Sequence, residues 1–77
     1  METITLDRLK KGQSAEIVTV RGNDAQTQRL LALGLVTGVE VSVVRVAPLG
    51  DPMTLAIEGN QVSVRRNLAN VLEVAVD

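Results

Sequence analysis

Charged side chains would have to do any chemistry in this 77-residue sequence, because the usual catalytic and metal-binding residue types are missing. It contains no Cys and no His, which excludes thiolate and imidazole metal sites, disulfides, Cys nucleophiles and histidine acid–base catalysis. Asp24, Asp51 and Glu58 offer oxygens to a hard cation, but they are scattered and lack the spacing of a ligand loop. The sequence therefore predicts no enzyme, no resident metal and no cofactor.

The basic residues favour binding over chemistry. Arg65 and Arg66, with Arg45, form a candidate basic patch, although a solvated strand end is the simpler interpretation. The 8 Lys and Arg residues are balanced by 9 Asp and Glu residues, for a formal charge of −1, so no net positive field attracts phosphate backbones. Phe, Tyr and Trp are also absent, so no side chain stacks on bases. We expect no nucleic-acid partner.

One helix is expected among the elements that position these groups. Residues 24–33 are mostly good helix formers, with Asn23 or Asp24 available to cap the free amides and Gly34 to end the helix. If Gly34 takes the left-handed conformation, Leu35 folds back onto the last turn, as in a Schellman ending. This pattern predicts a short helix with a defined end.

Aliphatic residues alternate through most of the remaining chain and predict about five bent strands. The alternation changes phase within residues 13–21 and near residues 43–44, which predicts bulges. Residues 59–60, Gly-Asn, are expected to form a two-residue hairpin turn, and the last strand to pair back with the first. The predicted fold class is all-β with a short inserted helix, a small SH3-like barrel of about five strands, with residues 1–77 as a single domain.

The hydropathy pattern bears on location and assembly. No stretch approaches the roughly 18 consecutive apolar residues that a membrane helix needs, and the N-terminus lacks a charged region followed by an apolar run. We therefore expect a cytoplasmic protein without direct membrane insertion. No obvious row of lysines guards the expected sheet edges, so homo-oligomerisation stays open.

Two stretches of the sequence are too distinctive to be generic. They are residues 28–38, Gln-Arg-Leu-Leu-Ala-Leu-Gly-Leu-Val-Thr-Gly, and residues 44–53, Val-Arg-Val-Ala-Pro-Leu-Gly-Asp-Pro-Met. Together they resemble the FeoA family. The resemblance extends to residues 6–12 and 62–66, so it covers nearly the whole chain in the family's order. It implies a small cytosolic SH3-like accessory protein of bacterial ferrous iron transport. The implied partner is FeoB, the membrane transporter, which carries a cytosolic GTP-binding domain.

Two segments are candidates for docking on such a partner. Four leucines near the end of the predicted helix exceed what one narrow helix face buries, and Leu33 is the first candidate for exposure. The Pro-rich turn at 48–53 is either a rigid connection or a stiff loop that binds at low ordering cost, and the resemblance favours binding. The predicted partner-binding residues are Leu31, Leu33, Leu35, Val36, Pro48, Leu49, Gly50, Asp51, Met53 and Arg65.

Two alternatives stay open. In the first, the protein activates the transporter's GTP hydrolysis by supplying Arg29 or Arg65 to the nucleotide site, in the manner of an arginine finger. In the second, it is a regulatory SH3-like module for another partner. The first ranks below simple docking, because no base, nucleophile or pocket-forming motif accompanies the arginines.

Overall fold

Six strands and three short helical segments make up the structure, a computed structural model that describes residues 2–77. The predicted fold class, all-β with a short inserted helix, is confirmed, with six strands where about five were expected. In chain order the elements are β1 (Glu2–Thr5), a 3₁₀ turn (Leu6–Arg8), β2 (Ser14–Val20), α1 (Ala25–Ala32), β3 (Glu40–Val46), β4 (Met53–Ile57), β5 (Asn60–Val64), α2 (Arg66–Ala69) and β6 (Leu72–Val76).

All strand pairs of the sheet are antiparallel, and the strand order is β1-β6-β2-β3-β4-β5. The last strand pairs with β2, which confirms the predicted return to the first expected strand. It also pairs with β1, the strand that the sequence pattern missed. The reason for the miss is that β1 has four residues and a single strongly apolar one, Ile4, too little for a visible alternation.

Both predicted bulges are present. The β2–β6 register shifts between Ile17 and Thr19, and the β3–β4 register shifts between Val43 and Arg45. An extra residue in one strand restores the inward direction of the aliphatic side chains that follow it. The phase changes in the sequence therefore mark real bends in the strands.

The β4–β5 hairpin turn differs from the prediction by one residue. Ile57 pairs with Asn60, so the turn residues are Glu58 and Gly59, with φ of 44° and 85°. Two positive φ values are what a tight two-residue hairpin turn needs. Moving the two-residue turn by one residue changes the partner of Ile57 from Val62 to Asn60, so buried Leu55 and Ile57 face the core in either register. In the observed register Leu55 pairs with Val62 and Met53 with Val64.

The core is aliphatic and draws on every strand except the short β1. It also takes Leu6 from the 3₁₀ turn and Leu9, which directly follows that turn, and both are almost completely buried. Helix α1 contributes little, since Thr27 and Leu30 are its two buried residues. Within residues 2–77, no helix has the length and apolar character needed to cross a bilayer.

Candidate docking surface

Helix α1 begins at a well-formed cap. The Asp24 carboxylate accepts hydrogen bonds from the Thr27 backbone N–H and from the Thr27 hydroxyl, each at 2.9 Å. The backbone bond first, and then the hydroxyl bond, lower the pKa of Asp24, because both stabilise the charged carboxylate. Of the two predicted caps, the structure therefore has Asp24. Gly22 lies so close that a Cβ there would sit 2.3 Å from the Thr27 hydroxyl oxygen, which allows no other residue without a shift.

The end of α1 is the predicted Schellman motif. Gly34 has φ of 103°, its N–H donates to Leu31 O at 3.0 Å, and Leu35 N–H donates to Leu30 O at 3.2 Å. Leu30 and Leu35 are both buried in the core cluster. Leu35 was predicted to bind a partner, and this part of the prediction is wrong because the motif folds its side chain inward to 0% exposure.

A groove of about 200 Å³ runs between α1, the end of β5 and α2. Leu33, which follows α1, is 47% exposed and lines it, as the leucine surplus predicted for one member of the cluster. The groove surface is more apolar than polar, and the aliphatic part comes from elements that are distant in sequence. Its uncharged lining residues are Gln26, Leu30, Leu33, Ser63, Val64 and Leu68.

Two arginines complete the groove. Arg29 comes from α1 and Arg65 from the residue between β5 and α2, and both are exposed. In the part of the chain that the structure describes, the ion pair present is Arg21–Glu73 at 3.6 Å, so neither groove arginine has a carboxylate partner there. Both guanidinium groups are therefore available to an incoming group.

The loop at 47–52 is ordered by hydrogen bonds from one residue outside it, Arg66. The Arg66 backbone N–H donates to Asp51 Oδ1 at 2.9 Å, and its guanidinium donates to the carbonyl oxygens of Gly50 and Asp7. Gly50 N–H also closes the loop on Ala47 O at 2.7 Å. This arrangement leaves Leu49 at the tip, 96% exposed.

The loop and the groove adjoin each other through consecutive residues. Arg66 holds the loop, and Arg65, directly before it, lines the groove. The loop therefore meets the groove at Arg65. We call the groove residues together with the loop segment 48–51 the docking surface.

The other predicted partner-binding residues lie outside the docking surface. Met53 is completely buried at the start of β4, paired with Val46 and Val64, so its predicted partner contact is wrong: the loop ends one residue before it and the strand turns its side chain into the core. Leu31 is half-buried, and Val36 is exposed in the next turn, outside the groove lining.

The charged groups singled out in the sequence are dispersed by the fold. The expected patch of Arg45, Arg65 and Arg66 is not confirmed, because Arg66 is half-buried and its guanidinium is used by the loop and Asp7. Asp24 caps α1, and Asp51 accepts from Arg66. Within residues 2–77, no three acidic side chains approach closely enough to hold a metal ion.

Several groove residues gave no functional signal in the sequence. Ser63 and Val64 read as ordinary strand residues, and Leu68 as one apolar residue of a short helical turn. Arg29 was named only for an alternative role. A signal exists only in hindsight: Arg29 and Leu33 are four residues apart and so share one face of the helix.

Comparison with known proteins gives a consistent assignment. The family model that matches is the FeoA domain, over residues 4–76. A curated relative, the Fe(2+) transport protein A/Fe(2+) transporter FeoB fusion protein of Porphyromonas gingivalis, is 41% identical over 69 residues, which are 90% of this chain and 8% of that protein. The chain thus spans a small part of that relative.

Two solved structures are also similar. The iron(II) transport protein A of Clostridium thermocellum has a TM-score of 0.90 at 34% identity, over 95% of this chain and 45% of that chain. The Stenotrophomonas maltophilia FeoA is described as a prokaryotic SH3 domain protein and is complexed with zinc. It has a TM-score of 0.78 at 33% identity, over 96% of this chain and 89% of that chain. The SH3-like fold is thereby confirmed. Because the family model matches nearly every residue and both sequence and structure agree with it, this chain belongs to the FeoA domain family.

Proposed function

We propose that this protein is a cytoplasmic accessory protein of bacterial ferrous iron transport that docks on the cytosolic face of a FeoB-type transporter. The observation that carries the proposal is the exposure of two large leucines, Leu33 at 47% in the groove and Leu49 at 96% at the tip of the ordered loop. Large apolar side chains held in exposed, ordered positions are typical of protein contacts. The surface is also prearranged, which lowers the entropy cost of binding.

The choice of partner rests on the relatives. The Porphyromonas gingivalis protein combines an Fe(2+) transport protein A with the transporter FeoB in a single chain. Joining two domains in one chain raises their effective concentration for one another. Such a fusion is therefore expected for domains that work in contact, and it supports a transporter as the partner of this domain.

The direct test is a titration of the isotopically labelled protein with the transporter's cytosolic domain, loaded first with GDP and then with a GTP analogue. We expect NMR shifts at Leu33, at residues 48–51 and at Arg65. A dependence on the nucleotide would indicate that docking responds to the GTP switch. Absence of shifts in both states would overturn docking on this part of the transporter.

A matched pair of variants assigns the contact to the docking surface. Leu33→Gln should weaken binding by about tenfold, because a buried interface leucine contributes on the order of 1–2 kcal/mol. Val18→Gln is the control, since Val18 is exposed to a similar degree, 37%, on the β2 bulge. Equal losses in both variants would refute the assignment.

A second candidate function is activation of GTP hydrolysis by an arginine of this chain. The observation that favours it is the presence of two exposed arginines without carboxylate partners, Arg29 and Arg65, in one groove. An arginine finger accelerates hydrolysis by about 10³–10⁵-fold, and Lys replaces it poorly. A hydrolysis rate that does not change when the protein is added would eliminate this candidate.

A further inference from the structure

The groove between α1 and α2 is too small for most independent ligands. Its volume of about 200 Å³ is below the roughly 300–1,000 Å³ of typical small-molecule and cofactor sites. It is large enough for one or two aliphatic side chains of a peptide. Leu33 and Leu68 supply apolar contacts on the α1 and α2 sides, and Val64 supplies one at the end of β5.

The charge in the groove is opposite to that of the whole protein. The chain carries a formal charge of −1, yet the charged residues that line the groove are Arg29 and Arg65. They belong to different elements, one to α1 and the other to the segment after β5. An occupant therefore meets positive charge from two separate elements around an apolar centre.

From this complementarity we propose that the groove binds a short acidic protein segment. One aliphatic side chain of the segment inserts among Leu33, Val64 and Leu68, and carboxylates before and after it pair with Arg29 and Arg65. The planar guanidinium group binds a carboxylate through two parallel hydrogen bonds, which fixes the orientation of the segment as well as adding affinity. The inference deepens the proposed function and rests on it, since the segment would belong to the transporter's cytosolic part.

The neighbouring loop extends the same contact. Arg66 holds residues 47–52 against the segment that carries Arg65, and Leu49 at the tip of this loop is 96% exposed. A second apolar residue of the partner, beyond the acidic stretch, would reach Leu49. The expected pattern is thus an aliphatic residue between carboxylates, followed or preceded by another apolar residue.

The first experiment uses defined peptides instead of the transporter. The labelled protein is titrated with the capped peptide Asp-Glu-Leu-Leu-Glu-Asp and with three relatives, in which Leu is replaced by Ser, the acids by their amides, or the acids by Lys. We expect the first peptide to shift the NMR signals of Leu33, Val64 and Leu68. The amide and Ser peptides should bind at least about tenfold more weakly, and the Lys peptide should not bind. Equal binding of the acidic and amide peptides would overturn the proposal.

Charge variants of the protein supply the matched test. Each of the substitutions Arg29→Gln and Arg65→Gln should lower the affinity for the acidic peptide by about fivefold to tenfold. Each should also reduce the salt dependence of that affinity. Arg45→Gln is the control, because Arg45 is exposed on β3 and does not line the groove. The same loss in all three variants would show a nonspecific charge effect and would refute the groove.

A competition arm separates this inference from the proposed function. If the transporter's cytosolic domain binds but neither arginine variant weakens it and the peptide does not compete, the groove inference fails while docking stands. If the peptide binds with the expected arginine dependence and the domain does not bind, the groove chemistry stands and the proposed partner fails. Competition together with arginine dependence supports both.

Discussion

The two halves of the docking surface, the end of α1 and the loop at 47–52, are held by different forces. At the end of α1, buried Leu30 and Leu35 anchor the chain to the core, and backbone bonds of the Schellman motif fix its direction. The loop has its tip residue, Leu49, 96% exposed, and it is held by polar contacts from Arg66. One half depends on apolar burial and the other on a single basic residue.

We therefore expect a substitution that disrupts one half to leave the structure of the other half in place. Apolar burial at α1 is part of the global core, so its loss lowers the stability of the whole domain. The contacts of Arg66 are local, so their loss should loosen the loop more than it unfolds the protein.

The largest effect is expected from Leu35→Ala. The leucine is fully buried at the Schellman ending, so its truncation leaves a cavity and should lower the free energy of unfolding by about 2–5 kcal/mol. Urea denaturation followed by circular dichroism measures it. Leu33→Ala is the control, since Leu33 is 47% exposed. This substitution should lower the free energy of unfolding by about 1 kcal/mol or less. Comparable losses would contradict the assignment of Leu35 to the core and Leu33 to the surface.

The next effect is expected from Arg66→Met, which removes the guanidinium hydrogen bonds to Gly50 and Asp7. We expect a loss of about 1–3 kcal/mol, together with faster hydrogen exchange of the Gly50 amide. Arg65→Gln serves as the control, because the Arg65 side chain makes no hydrogen bond within residues 2–77. If Arg65→Gln speeds exchange in the loop equally, the loop is not held by Arg66.

A smaller effect, dependent on pH, is expected from Asp24→Ala at the start of α1. The folded pKa of Asp24 is lowered, so its contribution is present above the ordinary value near 3.8 and disappears as the pH falls through the lower folded value. The variant should melt below the wild type at pH 7, and the difference should shrink as the pH falls below the ordinary pKa of 3.8. Asp24→Asn keeps the cap without titrating and should stay near the wild type at pH 7. A pH-independent difference for Asp24→Ala would contradict this account.

The smallest effect on stability is expected from Leu49→Ser. Because Leu49 is 96% exposed, the free energy of unfolding should change by no more than about 0.5 kcal/mol. Docking on the transporter domain should weaken all the same, which calorimetric titration would detect. Unchanged binding would remove the loop from the docking surface and leave the groove alone.

The prediction of the fold from sequence succeeded where local patterns were strong. The bulges, the cap at Asp24 and the ending at Gly34 each leave a signal within a few residues. Strand β1 left no such signal, because it is too short. The hairpin register left none either, because the alternation of β4 and β5 fits both turn positions. Of the candidate site, the exposure of Leu33 and Leu49 agreed with expectation, and that of Leu35 and Met53 did not.

Sequence pattern was enough to predict helix α1, all strands except β1, the two bulges and the family of the chain. Backbone preferences and side-chain alternation act between residues that are close in sequence, so they can be predicted from the sequence alone. Which of two adjacent arginines keeps its guanidinium free depends on the tertiary structure: Arg65 lines the groove, while Arg66 holds the loop. The tertiary structure also created the groove itself, because burial and cavities arise from contacts between segments that are far apart in sequence.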